Sequence, residues 1–196
     1  MPIAIELRSQ DLTQLMEPIQ YAGFPQRFAA GLLDWLIVLP YGLLTFWAQK
    51  SRLFSIYCFV PSILFSLLYE VYLVRRWGGT PGKLIMSLRI LKVNGEPVGY
   101  REAFLRAAPD LILGALLSAA LIAASFKISA SEYNAIPWLQ RVQRLAALAP
   151  PWYRPLDIAQ KIWIWGELVV LLTNRKRRAL HDFMAGTIVA IVRSKK

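Results

Sequence analysis

Arg27, Asp34, Glu70, Asp110 and Glu167 stand within or at the ends of long apolar runs of this chain. An ionisable group at membrane depth is costly, so each needs a partner, a wet cavity or a function. Arg27 and Asp34 lie seven residues apart. On an α-helix that is about 20° from eclipsed and roughly 10 Å along the axis. They share a face with Ala30 and Gly31, small residues that permit close helix approach, so this face is expected to point into a bundle. Counted at about 1.5 Å per residue, Asp34, Glu70, Asp110 and Glu167 come from four helices and fall in one half of the membrane, with Arg27 and Arg106 as the nearest cations. Two chemistries follow. Carboxylates around a low-dielectric cavity bind a cation or relay protons near neutral pH. The same groups, paired with arginine, simply lock helices together. In the first role Asp34 and Glu167 are the expected carriers, with Arg27 tuning Asp34. The neighbours of Glu167 (Trp163, Ile164, Trp165, Leu168, Val169) offer no counter-charge. Glu70 and Asp110 are near enough to a surface to reach headgroups by snorkelling.

His181 is the one histidine and adjoins Asp182. Histidine titrates near physiological pH, so it is read either as a pH sensor or as a surface residue orienting Asp182. Asp182 itself is expected to act as a cytoplasmic gate or an anchor. One His and one Cys, Cys58, supply no metal ligand set. No Ser-His-Asp or Cys-His arrangement is sensibly placed, so neither an enzyme nor a cofactor is expected. Gly79-Thr80-Pro81-Gly82-Lys83 fails as a phosphate loop: Trp77 stands where the first glycine belongs and Leu84 follows the lysine. It reads instead as a tight turn with Lys83 near lipid phosphates. Arg175, Lys176, Arg177 and Arg178 form a juxtamembrane cluster suited to anionic headgroups.

These side chains need helices to hold them. The chain is 56% hydrophobic over 196 residues, with a formal net charge of +11 and a mean hydropathy of +0.41. Long apolar runs make lipid, not nucleic acid, the partner of that charge. The expected fold is an all-α membrane bundle with spans at about 28–47, 53–74, 108–126 and 157–173, the last shorter and more polar. Residues 1–19 form an N-terminal segment without a cleavable signal, and 194–196 a basic tail. Arg75, Arg76, Lys83, Arg89, Lys92, Arg101 and Arg106 lie between the second and third spans, and Arg175 to Arg178 follow the fourth. The first loop has only Lys50 and Arg52. By the positive-inside rule both termini are cytoplasmic and 127–156 is external.

Short interfacial helices are expected at Tyr100–Ala107 and at Trp138–Leu148, where Leu139, Val142, Leu145 and Leu148 oppose Arg141 and Arg144. Leu88 to Val93 ends in Asn94-Gly95, a hairpin signal. Glu96 to Gly99 is then a returning strand, and Thr187 to Val192 either a third strand or an interfacial segment. Together these form a small cytoplasmic β element.

Three patterns line up in order. Tyr21-Ala22-Gly23-Phe24-Pro25-Gln26-Arg27 continues to Asp34. Gly79-Thr80-Pro81-Gly82-Lys83 continues to Leu88-Arg89-Ile90. Leu180-His181-Asp182 continues to Ala185-Gly186-Thr187. The combination resembles the RDD family of bacterial membrane proteins, over roughly residues 20–193, with Arg27, Asp34 and Asp182 as the lettered residues. Lys127 to Pro155 departs from a minimal member. The resemblance implies a bacterial inner-membrane protein and a transporter, with exchange of Na+, Li+ or K+ against H+ as one form. Partnership within a larger assembly, as a non-transporting scaffold, is the alternative it leaves open. Four helices leave little room for alternating access, so transport would call for a homo-oligomer.

Overall fold

The computed structural model describes residues 20–192; the N-terminal segment 1–19 and the tail 194–196 lie outside them. Helix α1 (Phe24–Ala48) has Pro25 in its first turn, where the missing N–H has no intrahelical acceptor to lose. Helix α2 (Arg52–Leu67) runs without a break into a π turn (Leu68–Tyr72) and helix α3 (Leu73–Trp77). Gly78, at φ 74°, caps that run in the left-handed region. A short helix α4 (Pro81–Ile85) leads to strand β1 (Leu88–Lys92). Helix α5 (Tyr100–Ser125) is continuous, so the expected interfacial helix over Tyr100–Ala107 is simply its first two turns. Its end is roofed by α6 (Ala130–Ala135) and α7 (Trp138–Leu148). Helix α8 (Tyr153–Thr173), short helix α9 (Leu180–Met184) and strand β2 (Thr187–Ile191) complete the chain.

Among the described residues three stretches are long and apolar enough to cross a membrane: Phe24–Trp47, Arg52–Ile85 and Tyr100–Ser125. Their outer faces expose Trp35, Leu36, Leu43, Leu64 and Ile112, a pattern that suits lipid. Gly31 is exposed as well, so only Ala30 of the two small residues faces inward.

A second buried cluster of Ala124, Ile128, Tyr133 and Leu145 lies under α6 and α7, and the larger core sits at the other end, around the sheet. It joins Ala22, Ala30, Val71, Val74, Leu88, Ile90, Val98, Ala103, Ala107 and Val189. β1 and β2 are antiparallel, with Ile90 opposite Val189 and Lys92 opposite Thr187. The returning strand expected over Glu96–Gly99 is reduced to one bridge, Leu91 to Pro97, because Pro97 lacks an N–H for a ladder. On the free edge of β2 lies the chain leading into α1: the Ala22 N–H donates to Val189 O at 2.9 Å, and the Ile191 N–H to Gln20 O at 2.8 Å. The sheet thereby fixes the start of α1 against the end of the chain.

Helix α7 follows its apolar periodicity at Val142, Leu145, Leu148 and the exposed Arg144, and departs from it at Arg141 and Leu139. Arg141 is buried and Leu139 is 61% exposed. Arg141 is drawn inward by carbonyl oxygens and by the ring of Tyr133, 4.5 Å from its guanidinium.

Candidate functional site

Asp34 is held by donors from two other elements. Its Oδ1 accepts from Tyr69 Oη at 2.6 Å and from the Gly82 N–H at 2.7 Å. Its Oδ2 accepts from Thr80 Oγ1 at 2.5 Å, and Lys83 Nζ stands 3.8 Å away. Local structure explains the convergence. The π turn carries Tyr69, whose hydroxyl reaches Asp34, and the exposed Glu70; such turns recur at functional sites. Thr80 precedes Pro81, which opens α4 and leaves the Gly82 N–H unpaired within that helix. Gly82 sits flush on α1: a Cβ there would lie 2.6 Å from the Asp34 nitrogen and closer still to Ala30 O. Gly82→Ala is therefore expected to push α4 off α1, at a cost of about 1–3 kcal/mol; a thermal melt of the purified variant checks this.

Lys83, expected at lipid phosphates, faces inward instead. Its ammonium donates to Thr80 Oγ1 at 3.2 Å. Arg27, expected to tune Asp34, does not reach it. Its Nη1 donates to Asp182 Oδ2 at 2.6 Å and its Nε to Ala22 O at 3.3 Å. Seven residues of helix separate Arg27 and Asp34 along the axis by about 10 Å, too far for a pair.

Asp182 forms the second centre and is fully buried. It takes Arg27 on one oxygen and Arg106 on the other. The Ala179 N–H donates to Oδ2 at 3.0 Å, and Thr187 Oγ1 to Oδ1 at 3.3 Å. Arg106 Nη1 also donates to Thr187 Oγ1 at 2.6 Å. Burial alone would raise the Asp182 pKa. The charges of Arg106, His181 and Arg27 outweigh it and hold the carboxyl well below its ordinary 3.8. Each oxygen of this buried carboxylate thus accepts two hydrogen bonds, an arrangement that joins α1, α5, α9 and β2.

Between the two centres lies a cavity of about 220 Å³. Asp34, Glu70, Asp110 and Glu167 line it, with Lys83, Arg106, Tyr69 and His181. All four carboxylates expected from sequence therefore meet one space. Glu167 does have a partner, from beyond its own helix: His181 Nδ1 contacts its Oε1. His181 thus faces the cavity and not the headgroups, with Nε2 3.7 Å from Asp182 Oδ1. Glu70 and Asp110 make no ion pair among the described residues, since the cations at hand are engaged elsewhere. Both line the cavity while remaining exposed. Trp163 Nε1 on α8 is buried near Asp110, with no hydrogen-bond partner of normal geometry among the described residues. Among the described residues no three His, Cys, Asp or Glu side chains converge as a metal set. A cation here would keep part of its water shell.

Tyr69, Thr80 and Gly82 were not singled out by sequence as ligands of Asp34. A tyrosine beside a glutamate in an apolar run, and a Thr-Pro-Gly opening a helix, are the signals that point to them. Of the basic cluster, Arg175, Lys176 and Arg177 are exposed. Arg178 is not free for headgroups: it donates to Thr187 O at 3.0 Å and Asp182 O at 2.9 Å, and lies over the Phe183 ring.

The sequence profile of the RDD family matches residues 21–186. A Bacillus subtilis relative, the uncharacterized protein YckC, is 36% identical over 86 residues, which are 43% of this chain and 56% of that one. The chain thus spans little more than half of that relative's length. No solved structure matches significantly.

Proposed function

This chain belongs to the RDD family, and we propose that it exchanges a monovalent cation, or another small solute, for protons through the carboxylate-lined cavity. The observation that carries the reading is the pair Glu70 and Asp110, both on the cavity and neither ion-paired among the described residues. The role first given to Asp34 passes to them, because the Asp34 oxygens are filled by Tyr69, Thr80 and Gly82. Glu167 keeps its role as carrier, and His181, in contact with it, is the proton relay. Two oppositely acting needs are met: free carboxylates attract a cation, and the same carboxylates in a poorly hydrated space take up protons.

The reading takes α8 as a fourth span. At about 1.5 Å per residue its 21 residues match a hydrocarbon core of about 30 Å. It exposes Ile158, Ile162, Ile164, Trp165, Val169 and Leu172 along its length. Basic residues then put both termini, the sheet and the cavity on the cytoplasmic side of a bacterial inner membrane.

Liposomes with an imposed pH gradient test the proposal. Addition of Na+, Li+ or K+ is expected to dissipate the gradient. Failure of all three with correctly inserted protein would end the exchange reading for these cations. The scaffold reading draws on a different observation. Arg27, Asp34 and Asp182 all serve as packing bonds between elements, which suits a subunit of a larger membrane complex. Purification in mild detergent would then recover a stoichiometric partner.

A further inference from the structure

At the other end of the bundle α1, α2 and α5, with α6 and α7, line a second, partly open cavity of about 200 Å³. Its character is opposite. No carboxylate lines it, and its charged group is Arg141, 7% exposed. Arg141 Nη1 donates to Gln49 O at 2.5 Å, and Nη2 to Ile136 O at 2.8 Å, with Nε more distant from the same oxygen at 3.3 Å. A guanidinium has five N–H donors in a fixed fork, so donors on both terminal nitrogens remain. Among the described residues every acceptor it has is a neutral carbonyl. Glu132, the nearest carboxylate in sequence, turns to Arg144 at 3.8 Å. Arg52 beside this end likewise donates to the carbonyls of Ser125 and Ile128. A buried cation without a counter-charge is costly, and an anion on the open side of the fork would relieve it. The rest of the wall is hydroxyls, Ser55 and Ser118 among them, and the apolar Phe59, Leu121 and Leu145.

We propose that this cavity binds an amphipathic anion, its carboxylate or phosphate on Arg141 and its alkyl portion against Leu121 and Leu145. The site is independent of the exchange reading.

Cys58, the one thiol of the chain, lines the same cavity and reports on its occupancy. The full chain is placed in phosphatidylcholine nanodiscs, and the alkylation rate of Cys58 by N-ethylmaleimide is measured with decanoate, decanol or inorganic phosphate. Decanoate at ten times its dissociation constant is expected to slow alkylation about tenfold, with decanol and phosphate without effect. Arg141→Gln is expected to lose the protection. Because Arg141 also ties chain segments together, Leu121→Trp, which fills the cavity with the charge in place, is expected to lose it too. Protection in phosphatidylglycerol discs without decanoate would support the proposal and make the bilayer the source of the anion. Protection by decanol equal to that by decanoate, protection by phosphate alone, no protection at all, or protection that survives in Arg141→Gln would each overturn it.

Discussion

Asp182→Ala is expected to destabilise the protein by about 3–5 kcal/mol, the range for breaking a buried ion pair from one side. The substitution leaves Arg27 and Arg106 facing each other, both about nine-tenths buried, with no counter-charge. It also removes the acceptor of the Ala179 N–H and of the Thr187 hydroxyl. These bonds join α1, α5, α9 and β2, so their loss uncouples the sheet from the bundle. Thermal unfolding in detergent gives the number. A triple variant, Asp182→Leu with Arg27→Met and Arg106→Met, is expected to recover much of it, because apolar replacement of a whole buried cluster is often neutral. The pH dependence has a definite sign. The folded-state pKa of Asp182 lies below its ordinary 3.8. Its contribution is therefore complete above that ordinary value and is lost as pH falls below it towards the depressed folded pKa. From pH 5 to 8 this group should leave the melting temperature unchanged.

Glu70→Gln combined with Asp110→Asn is expected to lower exchange at least about tenfold, equivalent to about 1.4 kcal/mol, while the melting temperature hardly moves. Neither carboxylate holds an ion pair among the described residues, and both replacements keep shape while removing charge. Asp34→Asn should behave differently. Asparagine keeps one oxygen for Tyr69 and the Gly82 N–H but puts an amide nitrogen where Oδ2 accepts from Thr80 Oγ1, so that variant is expected to lose about 1–3 kcal/mol of stability along with any transport. Paired measurements of flux and unfolding separate a carboxylate that works from one that merely binds elements together.

Several of these elements are legible in the sequence for plain reasons. Apolar runs of membrane length and the alternation that ends at Asn94-Gly95 are local signals, and the helices and β1 follow them, although β1 pairs with β2 and not with a returning strand. The carboxylate cavity also follows from depth counting, since rise per residue is constant along a helix. What was not legible is which cation meets which anion. The spacing of Arg27 and Asp34 gives a shared face but not contact. The true partner, Asp182, arrives through a turn, a five-residue helix and the register of β2, none of which hydrophobic periodicity encodes. Lys83 failed for the same reason: its direction depends on Gly82 lying against Ala30 and Asp34, a tertiary contact. Arg141 failed because periodicity treats charge as outward, whereas carbonyl oxygens and an aromatic face drew this one in.

Exchange requires that a proton and a cation compete for the same carboxylates. The direct measurement is proton release from purified protein in weakly buffered detergent solution on addition of sodium, lithium or potassium chloride, against choline chloride as control. Release with at least one of the three, absent with choline and lost in the Glu70→Gln, Asp110→Asn variant, is the predicted result. No release with any of them, or release that persists in that variant, would contradict a cation site at this cavity.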